Sequence, residues 1–431
     1  MSLSVNPDFA DAFARAGLTD APAFLDLPGE VVSGHPDRHV CRVELPCGAF
    51  YLKRQHVVGW KERFRNWRAG FGWVSRCARE ADLLSELNEQ NLPAPRWAAF
   101  GAHKGRAFLL VEEVRGACDL RTVLSDSGLS PTARRDLAGR LGRAVAAVHA
   151  AGYSTPDLTA KHVLVKPNGA FVFLDWQNAR RGRVPEAARA DALGALHASL
   201  AGATRADRAR VLCAYGPGVP PLYQVLRAAA KHATRRSVRD QLQPRAGEQR
   251  LVWLAGEAVC AVPEVAAAWP SPAVAAPFYD SPPGAIRLQI AGRDAVLVRG
   301  REFAPLGRFR AWLKATPYRS AGANVGRVLF HLERYGVPAP RLLAFGQRLA
   351  GAASCEWFAL YEPAPGVPVE RAGELVERLH EAGCVLSDPR AALGVRAGEI
   401  RVENPLAVRV ARRGRAGARA ARAVAELVGA E

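Results

Sequence analysis

The chain of 431 residues contains one methionine, and only 8% of it is aromatic. It has no run of about 18 uncharged apolar residues, so no transmembrane helix is expected. The N-terminus, Met-Ser-Leu-Ser-Val-Asn-Pro-Asp-Phe, lacks a basic region followed by an apolar one. No secretory signal is expected from it. The eight cysteines (41, 47, 77, 118, 213, 260, 355, 384) include no Cys-x-x-Cys pair. That spacing argues against a zinc site or a disulfide framework and for reduced thiols in the cytosol. The ten histidines show no metal-ligand spacing. No nucleic-acid-binding motif occurs, which excludes a specific nucleic-acid partner. Acidic residues are also short: 41 Asp and Glu stand against 59 Lys and Arg, for a net charge of +18. The bland reading is the Ala, Arg and Gly bias of a GC-rich genome; the functional one is attraction to an anionic surface. The length suggests two or three domains with sizeable cores.

Two carboxylates flanking a short strand carry most of the functional information. Asp157 lies in Gly-Tyr-Ser-Thr-Pro-Asp157-Leu-Thr-Ala-Lys-His162, and Asp175 in Phe-Val-Phe-Leu-Asp175-Trp-Gln-Asn. Upstream, residues 29–54 read as a three-stranded meander with turns at Ser33–Asp37 and Pro46–Gly48. Lys53 sits at the end of its third strand. Residues 75–90 have the spacing of an amphipathic helix with Leu83, Leu84 and Leu87 on one face, and Glu80 in its second turn is placed to pair with Lys53. Ala107–Glu113 reads as a strand into a connecting hinge, with Glu112 and Glu113 at its end. A helix over 131–151 leads directly into the Asp157 loop.

This order of parts resembles a kinase: a phosphate-holding lysine, its glutamate, a hinge for adenine, a catalytic aspartate and a metal-binding aspartate. His162 stands where protein kinases have asparagine. The implied fold is α+β, a bilobal protein-kinase-like fold with a small antiparallel N-lobe sheet and a helical C-lobe. Within that class the chain resembles the bacterial lipopolysaccharide core kinases, which phosphorylate heptose or Kdo sugars. The resemblance covers residues 25–235. It rests on Tyr51-Leu-Lys53 and its basic, aromatic continuation to Trp67, on Arg79-Glu80 through Leu92-Pro-Ala-Pro95 to Ala-Phe-Gly101, and on Asp191–Leu200 followed by Arg205–Tyr215. It implies Asp157 as catalytic base, Lys53, Glu80, Glu112 and Glu113 at the nucleotide, and Asp175 and His162 at the metal, with ATP and Mg²⁺ required. The loop departs from the family in reading Ser-Thr-Pro-Asp157 in place of His-Arg-Asp, which removes support for the loop backbone but not the base.

The second half repeats the first. Ser75–Gly101 and Ser320–Gly346 align without gaps, sharing Pro-Ala-Pro-Arg and Ala-Phe-Gly, and His149-Ala-Ala-Gly152 matches His380-Glu-Ala-Gly383. Asp157 then falls on Asp388. The other site positions are lost: Val298 or Arg299 for Lys53, Val325 for Glu80, Leu393 for His162, and Glu403 or Asn404 for Asp175. The expected organisation is an N-terminal helical extension (1–24), a catalytic domain (25–240), a linker region (241–284) and a truncated, degenerate kinase-like unit (285–431). Arg409, Arg412, Arg413, Arg415, Arg419 and Arg422 predict a basic terminal helix.

The function implied is phosphoryl transfer from ATP to a sugar hydroxyl of the lipopolysaccharide inner core. The acceptor is lipid A with its core, and the enzyme is cytoplasmic and peripheral on the inner face of the inner membrane. In the segment 60–73, Lys61, Arg63, Arg65 and Arg68 interleave with Trp60, Phe64, Trp67, Phe71 and Trp73, a pattern suited to an anionic membrane surface or to packing. Alternatives are a kinase of a small soluble molecule, disfavoured by the basic charge; a protein kinase, disfavoured by the missing Ala-Pro-Glu element; and a noncatalytic pseudokinase-type binding or regulatory protein, disfavoured by retention of Lys53, Glu80, Asp157 and Asp175 together.

Overall fold

A computed structural model describes residues 2–410, apart from 127, 249, 255–258, 270–271, 281, 315 and 352. Of the expected terminal basic helix, Arg409 lies instead in a short strand, Val408–Val410, and the remaining arginines lie outside the described residues. The chain divides into two compact units, residues 1–27 with 42–238 and residues 28–41 with 239–431.

Strand β1 (Ser2–Val5) opens the chain, followed by helices α1 (Pro7–Arg15) and α2 (Ala21–Leu25). The expected helical extension therefore begins with a strand, which pairs antiparallel with β5 below. The meander consists of β2 (Glu30–His35), β3 (Arg38–Leu45) and β4 (Gly48–Gln55). Helices α3 (Trp60–Arg68) and α4 (Arg76–Glu89) separate it from β5 (Trp97–His103) and β6 (Arg106–Glu112). These strands form a six-stranded sheet in the order β1-β5-β6-β4-β3-β2. Ser75 caps α4 by accepting a hydrogen bond from the Ala78 amide, which satisfies one of the free amides of the first turn. Leu83, Leu84 and Leu87 on the inner face of α4 are fully buried in one cluster with Leu109 and Val111 of β6. Their burial fixes the face of α4 that carries Glu80.

Beyond the sheet come β7 (Cys118–Asp119), α5 (Leu120–Ser125), α6 (Pro131–Ala150), β8 (Tyr153–Ser154), β9 (Val163–Val165), β10 (Phe171–Phe173) and β11 (Arg180–Arg181). Helices α7 (Glu186–Ser199), α8 (Arg205–Tyr215) and α9 (Leu222–Leu242) complete this part. The short strands pair as β10-β9-β7 and β11-β8. The second pair clamps the two ends of the segment holding both aspartates, with Arg180 opposite Ser154 and Arg181 opposite Tyr153. The same hydrophobic cluster runs from α4 through Leu141 and Val145 of α6 to the fully buried Trp176, so the segment holding both aspartates rests on a continuous core.

The region 241–284, expected as a linker, is structured. It holds β12 (Val252–Trp253), β13 (Val259–Ala261), α10 (Pro263–Ala268) and α11 (Ala276–Asp280). The prolines that suggested a linker include Pro263 in the first turn of α10, where a missing amide costs nothing. Val265, Trp269 and Ala275 from this stretch are buried. Next come β14 (Gly284–Ile290), β15 (Arg293–Phe303), α12 (Pro305–Leu313), α13 (Ala321–Arg334), β16 (Arg341–Ala350) and β17 (Ser354–Glu362). The sheet order is β12-β13-β16-β17-β15-β14. The remaining elements are β18 (Val367–Pro368), α14 (Ala372–Glu381), β19 (Cys384–Leu386), α15 (Pro389–Ala392), β20 (Leu393–Arg396), β21 (Glu399–Val402) and β22 (Val408–Val410). They pair as β18-β21-β20 and β19-β22. All eight cysteines are free thiols.

Candidate active site

Strand alternation brings Lys53 to the working face of β4. The Lys53 Nζ lies 2.7 Å from Glu80 Oε1, which α4 presents from a buried position. Burial works against the ammonium, but Glu80, joined by Asp175, outweighs it and holds the Lys53 pKa above the usual lysine value. The same Glu80 oxygen accepts from the Trp176 amide at 3.3 Å. The glutamate thus ties the lysine of the sheet to the residue that follows Asp175.

Asp175 occupies the left-handed region, with φ of 64°. Few residues other than glycine take this conformation, and strain of this kind collects at functional sites. It persists here because its surroundings are fixed on both sides. The Leu174 amide donates to the His162 carbonyl at 2.7 Å, and the Trp176 indole donates to the Phe173 carbonyl at 2.6 Å.

His162 faces Asp175, its Nε2 lying 3.8 Å from Asp175 Oδ2. Its Nδ1 lies 2.8 Å from the Asp157 carbonyl. A carbonyl can only accept, so Nδ1 carries a proton and Nε2 is the ring nitrogen turned toward Asp175. One carboxylate suits a Mg²⁺ that takes its other ligands from water and phosphate oxygens, with the softer imidazole nitrogen beside it as a second contact. Among the described residues no group of three or more His, Cys, Asp or Glu could hold a metal ion unaided.

Asp157 is half-buried, and its Oδ2 accepts from Asn178 Nδ2 at 2.7 Å. Oδ1 has no partner among the described residues. The loop is better supported than its missing His-Arg suggests. The Thr155 hydroxyl accepts from the Asp157 amide at 3.2 Å, and the buried Ser199 hydroxyl accepts from the Ala160 amide at 2.8 Å. Thr155 does locally what a longer side chain would do from outside. Asn178 escaped the sequence reading. Its only signal is an amide three residues after Asp175.

A cavity of about 850 Å³ opens beside these residues. Ala49 and Tyr51 line it from β4, Glu113 and Val114 from the segment after β6, and Leu164 from β9 with Leu174 just beyond β10. Tyr51 shares the Lys53 face of the strand, two residues away. The hinge glutamates divide. Glu113 lines the cavity, but Arg42 grips its carboxylate at 2.8 and 2.9 Å and Tyr51 donates to it at 3.2 Å. The Arg42 guanidinium, with Tyr51, holds its pKa below the usual glutamate value. Glu112 points elsewhere, 3.3 Å from Arg96. Backbone bonds occupy the amides of both glutamates, to Arg96 and Ala49 carbonyls. The Val114 amide has no partner among the described residues.

In the second unit, strand register fixes the positions that the sequence left open. Lys53 lies opposite Leu109, which lies opposite Phe100; Val298 lies opposite Ala359, which lies opposite Phe345. Val298, not Arg299, therefore takes the lysine's position. The Glu403 amide donates to the Ala392 carbonyl as Leu174 donates to His162. Ala392 replaces His162, one residue before the expected Leu393, and Asn404 follows where Asp175 would stand. The Asn404 and Asp388 side chains both cap local turns.

No curated protein matches the chain. Residues 23–215 match the family model described as the lipopolysaccharide kinase (Kdo/WaaP) family. That stretch contains every residue of the Lys53, Glu80, Asp157, His162 and Asp175 constellation, so the similarity to the lipopolysaccharide kinase (Kdo/WaaP) family falls on the residues of the candidate site.

Proposed function

We propose that this protein transfers the γ-phosphoryl group of ATP to a hydroxyl of a heptose or Kdo sugar in the lipopolysaccharide inner core. The observation that carries the reading is the completed Lys53–Glu80 pair linked through Trp176 to the strained Asp175. Lys53 would hold the nucleotide phosphates, and Glu80 keeps its ammonium charged and aimed. The adenine would lie in the cavity between Tyr51 and Leu174 and meet the free Val114 amide. Asp175 and His162 Nε2 would hold Mg²⁺, which supplies charge neutralisation on the phosphates when bound. Asn178 fixes one oxygen of Asp157, leaving Oδ1 to orient the attacking hydroxyl and take its proton. Positioning and charge neutralisation account for most of the catalysis, because the loose transition state needs little covalent help.

The acceptor is lipid-linked, so the site must work at a membrane surface. On α3, Trp60, Phe64 and Trp67 are exposed, as are Trp73 beyond it and Phe309 and Trp312 on α12. No described helix is long and apolar enough to cross a membrane. These aromatic, arginine-bearing helices suit peripheral contact with an anionic lipid face. The second unit reads as a degenerate copy. Its sheet order β13-β16-β17-β15-β14 parallels β1-β5-β6-β4-β3, and the pairs β19-β22 and β20-β21 parallel β8-β11 and β9-β10, although β18 joins β21 where β7 joins β9.

The deciding experiment is Mg²⁺-dependent stabilisation by ATP, read as a thermal shift in wild type and Asp175→Ala. A shift lost in the variant supports the reading and leads to transfer assays on core oligosaccharides. A cooperative wild-type melt with no shift sinks it.

A further inference from the structure

A second concavity, of about 520 Å³, lies within the first unit beside the proposed base. Five arginines line it: Arg65 and Arg68 from α3, Arg79 from α4, and Arg180 and Arg181 from β11. Asn178, which holds Asp157 Oδ2, lines it as well, so the concavity adjoins the place where an acceptor hydroxyl would meet Asp157.

The cluster is short of counter-charge. Arg181 has a carboxylate partner, Glu86. Arg79 donates to neutral groups, Asn66 Oδ1 at 3.1 Å and the Ala179 carbonyl at 2.6 Å, and its Nε is buried with no partner. Arg65 reaches only the Lys61 carbonyl, at 3.4 Å. Arg65, Arg68 and Arg180 have no ion pair among the described residues. Burial first, and then the like charges of Arg76, Arg180 and Arg65, push the Arg79 pKa below its usual value. Phe71 keeps the arrangement rigid, with the Arg79 and Arg181 guanidinium carbons each 4.6 Å from its ring centroid. A set of planar forks with open donors matches the oxygens of phosphate or carboxylate.

We infer that this arginine pocket is an acceptor subsite that binds an oxyanion already present on the acceptor glycan, next to the hydroxyl that Asp157 activates. The inference rests on the kinase reading of Asp157. It narrows the substrate to a sugar bearing a phosphate or carboxylate before transfer. A reaction that installs the acidic group must therefore precede this one.

The test titrates inorganic phosphate and, separately, glucuronate into the full chain at constant ionic strength. It compares wild type, Lys53→Met and the triple variant Arg65→Gln/Arg68→Gln/Arg180→Gln. The three substituted arginines hold nothing together in the fold, so the variant should melt like wild type. The expected result is saturable anion binding that Lys53→Met retains and that weakens about tenfold or more in the triple variant, whose Mg²⁺-ATP stabilisation persists. Tighter phosphate binding identifies a phosphorylated acceptor, tighter glucuronate binding an acidic sugar, and either supports the subsite. Anion binding that survives in the triple variant, or that disappears with Lys53→Met alone, overturns it. Failure of the kinase reading shows separately, as absent ATP stabilisation in wild type.

Discussion

Replacing Glu80 with glutamine removes one charge and little else, which makes it the sharpest probe of the site. Glu80 is 5% exposed, Lys53 31%, and their contact is 2.7 Å. Breaking a buried pair by removing one partner typically costs about 3–5 kcal/mol; the partial exposure of Lys53 lowers the expectation to about 2–3 kcal/mol. Glutamine still offers an oxygen to the Trp176 amide, so Glu80→Ala should cost about 1 kcal/mol more. For a unit of roughly 200 residues, 2–3 kcal/mol corresponds to a melting-temperature drop of about 5–10 °C. The pH dependence gives an independent check. In wild type the Lys53 pKa is raised above the ordinary 10.5, so its contribution is fully present below that pH and is lost as pH rises through the folded value. With Glu80 neutral, burial dominates and the lysine pKa falls below 10.5. The variant then carries a penalty at neutral pH that fades as pH approaches 10.5. Thermal melts at pH 7, 8.5 and 10, with ATP titrations beside them, measure both effects. A Glu80→Gln protein within 0.5 kcal/mol of wild type at pH 7, binding ATP normally, would refute the reasoning.

Further outcomes test the other parts of the site. Asp157→Asn should abolish transfer while leaving ATP binding nearly intact; loss of ATP binding in a folded variant would remove Asp157 from its role. Asn178→Ala frees Asp157 Oδ2 and should lower kcat by about 10–100-fold with the KM for ATP unchanged, as expected for a group acting in positioning. His149 is buried against the Tyr215 hydroxyl, at 2.8 Å, and burial, aided by Arg189, lowers its pKa from 6.5 to about 4. Its neutral form is the folded one, so stability is full above pH 6.5 and falls by about 3 kcal/mol as pH drops from 6.5 toward 4. His149→Gln should flatten that part of the acid-denaturation curve, and an unchanged curve would count against the burial argument.

The proximity of the candidate site residues was legible because the site's parts are local. Lys53 ends a strand, Glu80 sits on an amphipathic helix, and the Asp157 to Asp175 spacing follows from one loop and one hairpin. The second and third strands of the meander, α4 and α6 came within a residue or two of their observed ends, since apolar periodicity and capping residues mark them; the first strand instead runs on to His35, through most of the turn expected at Ser33–Asp37. What failed depended on contacts between distant segments. The proline- and alanine-rich stretch from 263 read as a linker because composition does not reveal that Val265 and Trp269 are buried. The arginine pocket gathers residues from α3, α4 and β11, and no spacing rule joins positions 65, 79 and 180. The choice between Val298 and Arg299 is a choice of strand register, which hydrogen bonding settles and an alignment cannot.

That register makes the second unit a natural control for the first. Val298 and Val325 stand where Lys53 and Glu80 stand, and both belong to or pack on a well-filled core cluster. Replacing a buried ion pair with apolar side chains of suitable volume is often neutral or stabilising. A sheet and helix of this topology therefore need no ion pair at this position to fold. Its presence in the first unit is then a matter of chemistry, not of architecture. The double variant Lys53→Val/Glu80→Val should consequently be more stable than Glu80→Gln and near wild type in its melting temperature, yet show no ATP-dependent shift. If the double variant is instead the least stable of the set, the pair is structural, and its value as a mark of nucleotide binding falls with it.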